Sequence, residues 1–188
     1  IDESVLKILR MKEKIGLNGS RFIEMKDAQG SLKDSTFQFT ASHMAAKSLT
    51  LVKNDSKFFP LELKKREKLY IIDIYDHKND HAESITTKSL RALGANVHSF
   101  QLDESDKKYV SSSILKEIPE KSAIIVNAFV SPSAKKNKIN LSKTQEKFIQ
   151  SLAAKSKKLL LNSYGNPYLI ENFPMVDNYI CSWKESGI

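Results

Sequence analysis

Apolar positions along this chain follow two rhythms, one helical and one strand-like, and the order in which they alternate predicts the architecture. Between Asp2 and Ile15, the residues Val5, Ile8, Leu9 and Ile15 recur at helical spacing, with Asp2 at a capping position and Gly16 just past the end. Residues 18–40 lose that period and collect Asn18, Gly19, Ser20, Gly30 and Ser31, the signature of a linker or loosely packed crossing segment. A short alanine-rich helix is predicted over 41–48, then a strand over 49–52 and a turn-rich stretch ending in Pro60 and Leu61. From Leu69 the pattern becomes regular. Strands are predicted over 69–75 (LYIIDIY), 97–102, 123–130 (AIIVNAFV), 159–164 and 179–183. Helices are predicted between them over 80–93, 105–118 and 142–155, and a short helical turn after Pro167. In the 142–155 segment, Phe148, Ile149, Leu152 and Ala153 form one apolar stripe, and Glu146 stands where a cap for the turn at Ser142 would be less well spaced than at three residues.

Strands that are apolar nearly throughout, separated by helices of about a dozen residues, imply parallel strands covered on both faces. The expected fold is therefore α/β, an open, mostly parallel, doubly wound sheet with helices on both faces, in the manner of a flavodoxin-like sandwich. At 188 residues the chain has room for one such domain, expected over 41–188, plus the leading helix and linker. Ligands in sheets of this kind meet the loops at the carboxyl ends of strands, here near Asp76, Ser131 and Gly165.

Composition narrows the function classes. With 40% hydrophobic and 28% charged residues the chain reads as globular, and its longest apolar runs fall far short of a membrane span. It opens on Ile1 and an acidic pair, so no signal peptide is visible. The single cysteine, Cys181, lies in an apolar run and reads as a buried structural thiol. The net charge is +8, and 135–158 carries eight lysines against one acid, Glu146. That stretch holds one aromatic residue and no arginine, so it reads as a solvated lysine face, and no nucleic-acid partner is expected.

No conventional catalytic set emerges. Asp76, His77, Asp80 and His81 are the densest potential metal ligands, but the segment reads first as a turn entering a helix capped by Asp80, and no metal is expected. His43 and His98 have no partner pattern. Asp73 and Asp76 suggest the acidic pocket of a response-regulator receiver, yet the third regular strand ends in Ala128, Phe129 and Val130, without a phosphoacceptor aspartate; Asp73 then reads as a strand-edge residue. The spacings G-x-G-x-x-G, G-x-x-x-x-G-K-[ST] and G-x-S-x-G are all absent, so no nucleotide cofactor and no nucleophile elbow are expected. The most individual segment is 162–169 (NSYGNPYL), where Gly165, Asn166 and Pro167 turn a strand into a helical turn and would present Asn166 outward.

Four segments in order resemble the C-terminal region of family 3 glycoside hydrolases in their two-domain form. Residues 4–17 (SVLKILRMKEKIGL) are similar to the helix that ends the catalytic barrel. Residues 41–55 (ASHMAAKSLTLVKND), with FPL at 59–61, are similar to the entry of the second domain. Residues 141–152 (LSKTQEKFIQSL) and 162–174 (NSYGNPYLIENFP) resemble the helix with a central glutamine and the strand leading to a G-x-P turn.

The resemblance implies that the nucleophilic aspartate lies on a barrel preceding this chain and that the chain alone is inactive. Many relatives take a general-acid glutamate from the loop after the strand matching 123–130; here that loop, 131–140 (SPSAKKNKIN), contains no carboxylate. This departure resembles the bacterial β-N-acetylglucosaminidase branch, where an aspartate–histidine pair on the barrel supplies the acid and the second domain is a companion.

The resemblance thus implies a non-catalytic C-terminal domain of an exo-acting β-N-acetylhexosaminidase or β-glucosidase. Its partner would be the barrel of the same polypeptide, and through it a carbohydrate. Asp76, His77, Ser131 and Asn166 are the candidates for the substrate rim. It also implies a chain cut at both ends and a periplasmic or secreted setting. The competing expectation is a stand-alone flavodoxin-like module that holds an acidic partner through the lysine-rich helix or the Asp76 loop.

Overall fold

The computed structural model describes residues 1–62, 67–77, 83–106, 108–130 and 139–183. Two compact units divide the chain, 1–45 and 46–187. In the first, helix α1 (Asp2–Lys14) starts without a side-chain cap, Asp2 being its first residue and Ile1 its N-cap. The stretch expected as a linker contains two helices, α2 (Met25–Leu32) and the first half of α3 (Ser35–Ser48). Before α3, Asp34 accepts from the Thr36 backbone N–H at 2.8 Å, which holds its carboxyl below the usual carboxylate range and orders the first turn of that helix. None of the described side chains of α1, α2 or α3 is buried.

The second unit is built on a six-stranded sheet in the order β1-β6-β5-β4-β2-β3. Its strands are β1 (Thr50–Asn54), β2 (Lys68–Tyr75), β3 (Asn96–Leu102), β4 (Ala123–Phe129), β5 (Leu159–Tyr164) and β6 (Asn178–Trp183). All neighbours are parallel except the edge strand β1, which runs antiparallel to β6. Helices α4 (Ile85–Ala92), α5 (Lys108–Glu117) and α6 (Lys143–Lys155) connect them, with a 3-10 helix over Pro167–Asn172.

Two apolar clusters sandwich the sheet, as strands buried on both faces require. The larger joins Ile72, Ile74, Val126 and Leu161 to Ile114, Phe148, Ile149 and Leu152 of α5 and α6 and to Leu169 of the 3-10 helix. The smaller joins Leu69, Ile71, Ile125 and Leu160 to Phe58 and, at its margin, to Leu90 of α4. Cys181 is buried in β6, as expected of a structural thiol.

Two expectations about helix starts change. Helix α4 is capped by Ser84, whose hydroxyl accepts from the Thr87 N–H at 3.3 Å, while Asp80 and His81 lie outside the described residues. Helix α6 carries a full capping box: Ser142 accepts from the Gln145 N–H at 3.3 Å and Gln145 Oε1 accepts from the Ser142 N–H at 3.0 Å. Gln145, three residues after the cap, fills the position that Glu146 could not, in line with the S-x-x-Q signature.

Candidate functional site

The strand order places a topological switch at β2. The chain leaves β2 to form β3 on one side and then crosses back to form β4 on the other, and in sheets of this kind the carboxyl edge between two such strands is where a ligand crevice forms. Asp76 sits at that edge. Its backbone N–H extends the ladder by donating to Phe129 O at 3.1 Å, and its carboxylate, 1% exposed, meets His77 Nδ1 at 2.7 Å. The His77 ring is half exposed and packs edge-on to Tyr75 at 6.0 Å between ring centroids. A buried carboxylate on Nδ1 fixes the tautomer and leaves Nε2 as the nitrogen that can exchange a hydrogen bond or a proton with a ligand hydroxyl.

Beneath this pair the edge is braced by aromatic rings. Tyr75, Phe129 and Tyr164 occupy one register line across three strands, each adjacent pair stacked at 4.5 Å. The Tyr164 hydroxyl shares a 3.0 Å hydrogen bond with Thr86 Oγ1 at the start of α4. From the opposite face of the sheet, Gln145 Nε2 donates to Tyr75 O at 2.8 Å, so the first turn of α6 holds the backbone one residue before Asp76.

One layer deeper runs a line of polar side chains that the sequence reading missed. Ser182 Oγ donates to Asn162 Oδ1 at 2.6 Å, Asn162 Nδ2 to Asn127 Oδ1 at 3.0 Å, and Asn127 Nδ2 to Asp73 Oδ1 at 2.7 Å. Asp73 is therefore no strand-edge residue: it is fully buried on an interior strand, at the end of a chain of amide dipoles that all point toward its carboxylate. The signal was present in LYIIDIY, AIIVNAF and LLLNSY, where an Asp or Asn breaks each apolar run at positions that pair in register: Asp73 with Asn127, and Asn127 with Asn162.

The remaining candidates separate. Asn166 is at the same edge, but its side chain is engaged locally: Oδ1 accepts from the Tyr168 N–H at 3.0 Å, capping the 3-10 helix, and Nδ2 donates to Ile139 O at 2.6 Å. It thereby ties the end of the β4–α6 connection to the β5 turn, where Ser163 Oγ also donates to Asn166 O at 2.5 Å. Ser131 lies outside the described residues. Of the other histidines, His98 pairs with Glu117 at 2.9 Å and lies against Phe100, and His43 stacks on Phe39. Tyr179, beneath the Gly165 turn, donates to Pro167 O at 3.1 Å, and burial pushes its phenol above the usual tyrosine range. Among the described residues no group of three or more histidine, cysteine or acidic side chains could hold a metal ion, and no helix is long and apolar enough to cross a membrane.

No protein-family model matches the chain. A curated protein, the beta-N-acetylglucosaminidase/beta-glucosidase of Cellulomonas fimi, is 34% identical over 79 residues, 42% of this chain and 14% of that protein. A solved family 3 β-N-acetylglucosaminidase from Paenibacillus sp. str. FPU-7 superposes over 98% of this chain with a TM-score of 0.70 at 18% identity. The chain carries the α/β domain fold of family 3 glycoside hydrolases. A beta-glucoside phosphorylase, BglX, in complex with 2FGlc shares that fold over 98% of the chain as well, with a TM-score of 0.68 at 23% identity. Each of these solved structures is matched over 34% of its own length, so this chain spans about a third of them. The expected α/β sheet and the resemblance to family 3 enzymes thus agree with the fold.

Proposed function

We propose that this is the non-catalytic C-terminal domain of an exo-acting family 3 glycoside hydrolase, a β-N-acetylhexosaminidase or β-glucosidase, and that it supports the catalytic barrel and contributes to the rim of its active site. The observation that carries the reading is the absence of any aspartate or glutamate from residues 131–140, the connection that follows β4 at the carboxyl edge. Retaining hydrolysis uses two carboxyl groups flanking the scissile bond. The nearest carboxylate in the crevice, Asp76, is buried and committed to His77, which suits it to orienting that ring rather than to protonating a leaving group.

Two further features support the reading. Helices α1 to α3 present Ile8, Leu9, Met11, Phe37 and Phe39 to solvent, apolar surface of the kind a further domain would cover. The relatives of this fold also carry about two thirds of their length outside it. In the proposed enzyme His77 and Asn166 lie at the rim, His77 offering Nε2 to a sugar hydroxyl and Asn166 fixing the neighbouring loop.

The test is turnover of chromogenic β-N-acetylglucosaminide and β-glucoside by the 188-residue chain and by the parent polypeptide that contains the barrel. The chain alone is expected to be inert and the parent active. Hydrolysis by the chain at a rate comparable with the parent would overturn the proposal.

A further inference from the structure

At the end of β6 the chain holds its one tryptophan, Trp183, at φ 56°, in the left-handed region that a bulky side chain rarely enters. The cause is local. Strands β5 and β6 pair Ser163 with Cys181 and then Tyr164 with Trp183, so Ser182 is an extra residue on β6. An insertion of this kind bends a strand and re-aims the side chain that follows. Ser182 is pinned there by its 2.6 Å hydrogen bond to Asn162 Oδ1, at the outer end of the polar line.

The indole is fixed at its polar edge and open elsewhere. Nε1 donates to Ser48 O at 2.9 Å, a carbonyl that the Thr50 hydroxyl also reaches at 3.1 Å, while the residue is 48% exposed. Glycine or asparagine would hold the same backbone angle at lower cost. A ring left half in water regains little of that cost by burial, and strain kept without a packing gain marks functional positions. The place is also the carboxyl edge: Trp183 extends the register line of Tyr75, Phe129 and Tyr164 onto the next parallel strand. Three strand spacings separate it from Tyr75, about 14 Å along the edge at which ligands meet sheets of this kind.

We propose that Trp183 is a stacking platform for a sugar ring, a subsite on the same edge as His77 but apart from it; the ligand class rests on the glycoside hydrolase reading above. In a β-linked glucose or N-acetylglucosamine unit the ring hydroxyls are equatorial, so the axial C–H bonds form a flat apolar face of partial positive charge. That face complements the electron-rich face of an indole. Tyr75 and Phe129 cannot serve in this way, because both are buried and stacked on each other. The bond to Ser48 O holds the Trp183 ring in place before a ligand arrives, which lowers the ordering cost of binding.

The experiment is a titration of the 188-residue chain with N,N′-diacetylchitobiose, cellobiose and mannitol as separate probes. Because the sequence has one tryptophan, the single indole N–H resonance reports on Trp183 alone, and the backbone amides of Tyr164 and Ser182 are followed beside it. Saturable shifts with at least one disaccharide are expected, and none with mannitol, an acyclic polyol that has hydroxyls but no ring face. Tighter binding of N,N′-diacetylchitobiose identifies an N-acetylated ligand, and equal or tighter binding of cellobiose an unsubstituted one.

Trp183→Ala, read from the Tyr164 amide, should weaken binding about tenfold, as loss of one stacked ring implies. Trp183→Tyr, which keeps an aromatic face, should lose less. Should either substitution disturb β6, the contrast between disaccharide and mannitol on the unaltered chain carries the test. Shifts that stay linear with concentration, equal shifts with mannitol, or binding unchanged in Trp183→Ala would overturn the proposal. Hydrolysis by the parent polypeptide without saturable shifts here would end this proposal and leave the domain reading standing, and an inert parent with saturable shifts would do the reverse.

Discussion

Helices α1 and α6 have the same length, thirteen residues, and both carry an apolar stripe at helical spacing, yet they end in opposite situations. In α6 the stripe of Phe148, Ile149, Leu152 and Ala153 is buried against the sheet. In α1, Val5, Ile8 and Leu9 face solvent and nothing in the helix is buried. The sequence pattern is therefore a statement about an available surface, not about whether that surface is present. Most helical stability in proteins comes from packing an amphipathic face rather than from propensity. The contrast locates what this chain completes by itself, the doubly wound sheet, and what it leaves open, the apolar faces of its first 45 residues.

The sharpest way to break this contrast is to shorten one leucine in each helix. Leu152 has no solvent exposure and lies within the larger cluster, so Leu152→Ala removes its burial and leaves a cavity, at a cost of about 3 kcal/mol. In a chain of this size that corresponds to a fall in Tm of roughly 6–12 °C by calorimetry. Leu9 is 55% exposed, and Leu9→Ala should stay within about 0.5 kcal/mol of the parent. Equal effects at the two positions would mean that α1 is packed as α6 is.

The polar line under the carboxyl edge comes next in size. Asn127→Leu removes the amide that donates to Asp73 and accepts from Asn162, leaving two buried groups short of a partner. A loss of about 2 kcal/mol in urea unfolding is expected. A neutral outcome would show that the line is not stabilising and that its use is to fix the register between β2, β4 and β5.

Gln145→Ala is expected to cost about 1–2 kcal/mol, since it opens the capping box of α6 and strips Tyr75 O of a donor. Because that carbonyl precedes Asp76, amide exchange at Asp76 and His77 should quicken in the variant while exchange in β3 stays as it was. This separates the part of α6 that covers the core from the part that steadies the crevice.

Much of the sheet was legible because its strands are apolar nearly throughout and its helices are regular. The segments 69–75, 123–130, 142–155 and 159–164 were each found within two residues of their observed bounds. The polar line was harder to see, since a single Asp73 or Asn127 inside an apolar run looks like the end of a strand until the registers of three strands are known together. Helix α2 and the start of α3 escaped notice because Gly30, Ser31 and Asp34 are poor helix formers, and no buried stripe marks either helix. At the candidate site, Asp76 and His77 were legible as neighbours in sequence, but their hydrogen bond depends on the register that brings Asp76 to Phe129. The sequence led to the expectation that Asn166 is presented outward; instead its side chain caps Tyr168 two positions on and bonds Ile139 O, 27 positions away, a contact no local pattern announces.

The smallest expected effect concerns Tyr179, and it sharpens the same contrast between surfaces that are closed and surfaces that are open. Its phenol is raised chiefly by burial, with the Ser163 side chain acting in the opposite direction and Cys181 adding to the rise. A group whose folded pKa lies above its unfolded value holds its proton more tightly in the native state. The associated stability is fully present below pH 10.0, the ordinary tyrosine value, and is lost as the pH climbs through the raised value. Absorbance at 295 nm should therefore show one tyrosine, absent in Tyr179→Phe, ionising above the ordinary tyrosine value. Thermal stability of the parent should fall over the same alkaline interval, and that of Tyr179→Phe should fall less. If Tyr179 instead titrated at the ordinary tyrosine value, the turn below Gly165 would be open to water, and the carboxyl edge would be as exposed as the apolar face of α1.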